Sequence, residues 1–219
     1  MVATALPVVV TLGDSITEYG AKADESGWVW MLCQDYRNRA AVVNWGKSGW
    51  TTRRWLPEIA ASRDELAALS PSLITVLLGT NDAAPAFYRS GVPLEEYTTT
   101  MRGILGVVAQ ACPSAQILLI APPAVVDEVF GLPQNERVYA YADVCRQLGS
   151  ELRIPVVDLW TATQDHPEYF CDGIHLSSDG NRELYRLVLD AIRCNMAHLL
   201  PDRIGAASSW WKRYFQACF

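Results

Sequence analysis

Four short polar blocks carry residue types that could do chemistry together. Gly13-Asp14-Ser15 places a serine hydroxyl just after a glycine, whose missing side chain permits a sharp turn. Asp172 and His175 are three residues apart, so one turn can bring a carboxylate to an imidazole. A carboxylate in that position sets the tautomer of a general base and stabilises the imidazolium that forms. Gly46 and Asn81 offer a backbone N–H and a side-chain amide. With the N–H of Ser15, these are donors of the kind that stabilise a developing oxyanion. The chemistry they suggest is attack of a serine on an acyl carbon. Each block also has a plainer alternative: an N-cap turn at Ser15, an Asp-turn at Asp172, a turn glycine at Gly46 and an Asx-turn at Asn81.

The remaining histidines, His166 beside Pro167 and His198 near a helix end, read as structural or solvent-facing. Gly46-Lys47-Ser48 mimics the end of a phosphate-binding loop, but that motif's first glycine would fall on Ala41. No G-x-S-x-G nucleophile elbow is present, so a serine here must act in another local frame. Trp45, Trp50, Phe87, Tyr88 and Ile174 flank the blocks and could line an apolar substrate pocket or simply pack beneath loops.

The elements that must position these blocks recur along the whole chain. Apolar, β-branched runs at 6–12, 41–45, 73–78, 116–121 and 154–159 lack polar alternation, as strands buried on both faces do. Between them, helical spacing predicts helices at 28–36, 56–69, 94–111, 136–152 and 177–200, with Pro57 in the first turn of the second. Alternating strand and helix predicts an α/β domain with a parallel sheet. Ligands bind such sheets at the carboxyl ends of the strands. Three of the four blocks directly follow a strand run, and the Asp172–His175 block follows the fifth in a later loop.

Composition narrows the classes. The chain has 219 residues, half of them hydrophobic and 19% charged, which suits one globular domain. Its net charge is −6 with no basic block, against nucleic-acid binding. No apolar run is long enough to span a bilayer, and no basic leader precedes the first apolar run. Six widely spaced cysteines and three histidines suit reduced thiols in the cytoplasm better than a disulfide scaffold or metal site. After a domain over 1–200, residues 201–219 form a tail with Trp210, Trp211, Tyr214, Phe215 and Phe219 around Lys212 and Arg213. It reads as a short helix covering the domain or a partner subunit, hence a possible homodimer, with an interfacial membrane anchor as the alternative.

Taken in order, Gly13-Asp14-Ser15, Gly46, Gly79-Thr80-Asn81-Asp82 and Asp172-Gly173-Ile174-His175-Leu176 resemble the four blocks of the SGNH hydrolases, the GDSL esterases and lipases. Asn44 through Arg53, Pro93-Leu94-Glu95-Glu96-Tyr97 and Val157-Asp158-Leu159-Trp160 are similar to the isoamyl acetate-hydrolysing esterase branch. A threonine precedes Asn81 where many of that branch have alanine. The resemblance implies a three-layer α/β/α sandwich, flavodoxin-like, with a five-stranded parallel sheet in the order 2-1-3-4-5. It implies ester hydrolysis through an acyl-enzyme, with Ser15, His175 and Asp172 as triad and Ser15, Gly46 and Asn81 as oxyanion hole. No metal or organic cofactor is implied. The partner is a small-molecule ester, an acetate or short-chain acyl ester by the branch resemblance. An acetyl-sugar deacetylase or a lysophospholipase or thioesterase on the same machinery is the alternative, and a non-catalytic scaffold the reading from another class.

Overall fold

In a computed structural model, residues 6–85, 91–130 and 134–205 are described. The apolar runs form strands β1 (Val8–Gly13), β2 (Ala41–Gly46), β3 (Leu73–Leu77), β4 (Gln116–Ile120) and β5 (Val156–Val157). All pair in parallel, in the order β2-β1-β3-β4-β5, as the resemblance implied. Side chains alternate between two apolar layers. Val10, Leu12, Ile74, Val76 and Leu119 enter one core; Val9, Leu73, Leu77, Leu118 and Ile120 enter the other. Both faces are covered by helices, which is why the strands carry little polar residue on either side.

The first core lies under α3 (Thr52–Ala61), α4 (Arg63–Leu69), α5 (Leu94–Ala111) and α7 (Gln134–Leu152). The second lies under α2 (Trp28–Asp35) and α9 (Ser178–Asn195). Three short helices escaped the periodicity reading: α1 (Ser15–Tyr19), α6 (Asp127–Phe130) and α8 (Leu159–Thr163). Each is too short to show a helical period.

The expected second helix is two helices. It begins at Thr52 and breaks at Ser62, where φ −89° and ψ 12° end α3 and start α4. Pro57 therefore lies inside α3 rather than in its first turn. β5 is shorter than its apolar run because the Asp158 side chain accepts the Thr161 N–H and starts α8 instead. Leu199, Leu200 and Ile204 are buried in the second core, and Tyr36 Oη donates to the Leu199 carbonyl at 2.7 Å. The packed body thus continues past residue 200. The aromatic tail residues from Trp210 onward lie outside the described residues.

Candidate active site

Gly13 ends β1, and the Asp14 carboxylate accepts the Ile16 N–H at 2.9 Å, so α1 starts abruptly at Ser15. Ser15 is only 5% exposed, and its Oγ lies 2.9 Å from His175 Nε2. These two residues are 160 positions apart and meet only through the sheet.

The loop holding His175 is folded by one carboxylate. Asp172 Oδ1 accepts the N–H groups of Ile174 at 3.0 Å and His175 at 2.7 Å, and Oδ2 sits 2.6 Å from His175 Nδ1. The pair is in a bend closed by the Cys171 N–H on the His175 carbonyl, not in a helical turn. Gly173 has φ +87°, and a Cβ there would meet Val129 Cγ2 at 2.9 Å, so both backbone and α6 require glycine. Partial burial raises the Asp172 pKa, but the three bonds from His175 and Ile174 outweigh it and leave it below the usual carboxylate value. An ionised Asp172 can only accept. It therefore holds the proton on Nδ1 and leaves Nε2 of the neutral ring to accept from Ser15. This is the hydrogen-bond order that lets an imidazole take a proton from a serine.

Asn81 follows β3, and its Nδ2 donates to the Trp50 carbonyl at 3.1 Å, with a second amide proton remaining. The Ser15 N–H has no acceptor among the described residues. Gly46 differs from expectation. Its N–H is engaged by Asn44 Oδ1 at 2.7 Å, while Asn44 Nδ2 donates to the Thr17 carbonyl at 2.8 Å. A Cβ on Gly46 would lie 2.2 Å from the Glu18 nitrogen, so this glycine lets α1 dock against β2.

The open backbone donor in this block is Gly49. The Trp50 N–H closes a turn on the Lys47 carbonyl at 3.1 Å, with Gly49 at φ +73° in its third position. The Gly49 N–H has no acceptor among the described residues. α1 steadies this turn: Glu18 Oε2 accepts the Ser48 N–H at 2.5 Å, and Tyr19 Oη lies 3.0 Å from Ser48 Oγ. The sequence does hold a clue to it, since Ser48-Gly49 is a turn pair.

Gly46→Ala is accordingly expected to act on the fold. Displacing α1 should cost roughly 1–3 kcal/mol, read as a lower melting temperature. An unchanged melting temperature with a lost kcat would return Gly46 to the oxyanion site.

The tryptophans flanking the blocks are half-buried against the first core. Trp50 stands edge-on to Trp55 at 5.1 Å, and Lys47 Nζ lies 4.2 Å above its ring while pairing with Glu58 at 2.6 Å. Trp45 lines a separate cavity of about 210 Å³ with Asn44, Lys47 and Glu58. Ile174 packs on the first core, and the Tyr19 ring is 5.3 Å from that of His175. Phe87 and Tyr88 lie outside the described residues.

Residues 11–183 match the model of the GDSL-like lipase/acylhydrolase family. The chain belongs to that family. It is 32% identical to a GDSL esterase/lipase of Arabidopsis thaliana over 207 residues, covering 84% of this chain and 85% of that protein. It is 30% identical to an isoamyl acetate-hydrolysing esterase 1 homologue of Rattus norvegicus over 220 residues, covering 90% and 86%. An acetylxylan esterase from Geobacillus stearothermophilus shares the fold with a TM-score of 0.66 at 23% identity, covering 88% of this chain and 96% of that one. As a member of the GDSL-like family this protein is a serine esterase acting on carboxylic esters. No helix among the described residues is long and apolar enough to cross a membrane.

A buried carboxylate beneath the serine of this GDSL-family esterase escaped sequence reasoning. Asp14 is fully buried, and its Oδ2 has no protein partner among the described residues. Burial, with a smaller push from Asp82, raises its pKa from 3.8 to about 7 against the pull of the Ile16 N–H. Burial likewise raises Asp82 to about 6. A carboxyl whose folded pKa is raised adds stability below its unfolded pKa and loses it as pH rises through the folded value. Stability is therefore expected to fall between about pH 4 and pH 7. Asp14→Asn should be more stable than wild type at pH 8 by up to roughly 4 kcal/mol, seen as a higher melting temperature, and the gap should close towards pH 4. Parallel melting-temperature curves for the two proteins across that range would overturn this.

Proposed function

We propose that the esterase removes acetyl groups from ester substrates, with Ser15 as nucleophile, His175 as general base and then acid, and Asp172 as its orienting carboxylate. The observation that carries the reading is the unbroken chain from Ser15 Oγ through His175 to Asp172, at 2.9 and 2.6 Å. Ser15 attacks the acyl carbon as His175 Nε2 takes its proton. The imidazolium then protonates the leaving alcohol, and water repeats the sequence to free the acid. The N–H of Ser15, the Asn81 amide and, in place of Gly46, the N–H of Gly49 are the donors to the oxyanion. The Geobacillus acetylxylan esterase supports this triad by analogy: variants of one serine, one aspartate and one histidine of that enzyme are catalytic mutants.

The names among relatives share an acetyl group and differ in the alcohol: isoamyl acetate for the rat homologue, acetylated xylan for several structural neighbours. We favour an acetylated sugar. Trp50, Lys47, Arg54 and Tyr19 put ring faces and hydrogen-bonding groups around the turn beside the site, which suits a polyol better than an alkyl chain. A cytoplasmic setting fits the free thiols of Cys171 and Cys194 at the surface, and a homodimer belongs to the same proposal. Released acetate from acetylated xylooligosaccharide and from isoamyl acetate is the test. A higher kcat/KM on the sugar ester is expected; the reverse order would assign the small alkyl ester. Faster turnover of p-nitrophenyl octanoate than acetate would overturn the acetyl reading.

A further inference from the structure

Asp82, immediately after Asn81, is fully buried, yet nothing in the proposed chemistry uses it. Its carboxylate accepts the Thr52 N–H at 2.9 and 3.2 Å and the Thr52 hydroxyl at 2.5 Å. The Thr52 hydroxyl has one proton, which goes to Asp82, and Thr100 Oγ1 lies 2.7 Å from Thr52 Oγ1, its own single proton shared between Thr52 and the Glu96 carbonyl at 2.8 Å. Thr52 opens α3, and the preceding Thr51 makes no side-chain cap of its own. A carboxylate from another loop thus caps this helix.

The geometry has a second half. Asn81 Nδ2 donates to the carbonyl of Trp50, two residues before Thr52. The adjacent pair Asn81-Asp82 therefore grips both ends of Trp50-Thr51-Thr52, one side chain donating and the other accepting. The Asp82 backbone is held in turn by the Val92 N–H on its carbonyl at 2.9 Å. An amide side chain turns freely about its last bond unless a partner holds it. The partner here is the Trp50 carbonyl, whose own position depends on where α3 begins.

We propose that Asp82 is a positioning residue for the esterase reaction: by clamping the start of α3 through Thr52 it sets the Trp50 carbonyl, which fixes the Asn81 amide for the oxyanion. The proposal rests on the reading of Asn81 as an oxyanion donor. Thr52 and Thr100 complete the clamp. Burying a carboxylate is unfavourable unless it is bonded, and the N–H and hydroxyl of Thr52 offset part of that cost.

A double-mutant cycle on the full chain tests it. Asp82→Asn keeps the size of the side chain but turns one accepting oxygen into a donor facing Thr52. It is expected to lower kcat roughly ten- to a hundred-fold on a p-nitrophenyl acetate assay, the scale of an ångström-level misplacement, with KM within about two-fold. In an Asn81→Ala background the same change should lower kcat by less than about two-fold, because the group it positions is gone. An equal loss in both backgrounds would overturn the clamp while leaving Asn81 as an oxyanion donor. A normal kcat in Asn81→Ala alone would instead overturn the oxyanion reading. Thr52→Val removes the hydroxyl and keeps the N–H. It should lower kcat several-fold, again only with Asn81 present, and it decides the matter if Asp82→Asn does not fold. Wild-type kcat in Thr52→Val and in any folded Asp82→Asn protein would overturn the proposal.

Discussion

Ser15→Ala is expected to lower kcat for ester hydrolysis by roughly 10⁴–10⁶-fold while leaving the melting temperature close to that of the wild type. The fold should survive because the bond from Oγ to His175 Nε2 is the only side-chain hydrogen bond of Ser15 among the described residues. An organophosphonate that traps activated serines should label the wild type at Ser15 and leave the variant unlabelled. Ser48 is the internal control: its hydroxyl is bonded to Tyr19 Oη, not to a base, and label there would overturn the assignment. His175→Ala should fall as far as Ser15→Ala, since the two act as one unit. His166→Ala should stay within a few-fold of wild type, because its ring pairs with Glu168 at 2.9 Å and stacks on Tyr169. Asp172→Asn should lose about 10²–10⁴-fold: an amide in that place can present a donor to Nδ1 and favour the wrong tautomer.

For Asn81→Ala the expected loss is ~10²–10³ in kcat, equivalent to about 2.7–4 kcal/mol, with KM nearly unchanged. The oxygen it serves is negative only in the transition state, so ground-state binding has little to lose. A purely structural asparagine predicts another pattern. Losing the 3.1 Å bond to the Trp50 carbonyl would then cost roughly 0.5–1.5 kcal/mol of stability and leave turnover alone. Steady-state kinetics and thermal melting on one preparation separate the two. A lower melting temperature with normal kcat would move Asn81 to the structural role and withdraw the support that Asp82 is proposed to give it.

Much of the fold is legible in the sequence. The strands were readable because a sheet covered on both faces needs apolar residues on both, and Val9 and Val10 enter opposite cores. The 18-residue α5 was readable to its ends because it is long enough to repeat its period and starts after Pro93 with Glu95 and Glu96 in its first turn. Five-residue α1 and α8 were not, since each is started by a single aspartate side chain rather than by a pattern. The extent of β5 was misjudged for the same reason: Asp158 caps a helix where the apolar run continues.

For the site, the sequence put Ser15, Gly46 and Asn81 just after strand runs and Asp172 three residues from His175, because turn chemistry and strand ends are local. Their roles as triad and oxyanion donors came from the family resemblance. Tertiary structure alone decided which groups are open and which are engaged. Gly46 and Gly49 are both glycines of one block, but Asn44 occupies one N–H while a turn leaves the other without an acceptor. Asp14 and Asp82 look like motif neighbours of Ser15 and Asn81, yet burial raises both carboxyls and gives Asp82 a helix to hold. A hydrogen bond depends on distances of a few tenths of an ångström between groups as far apart in the chain as Thr52 and Asp82 or Ser15 and His175, and sequence spacing carries no such distance.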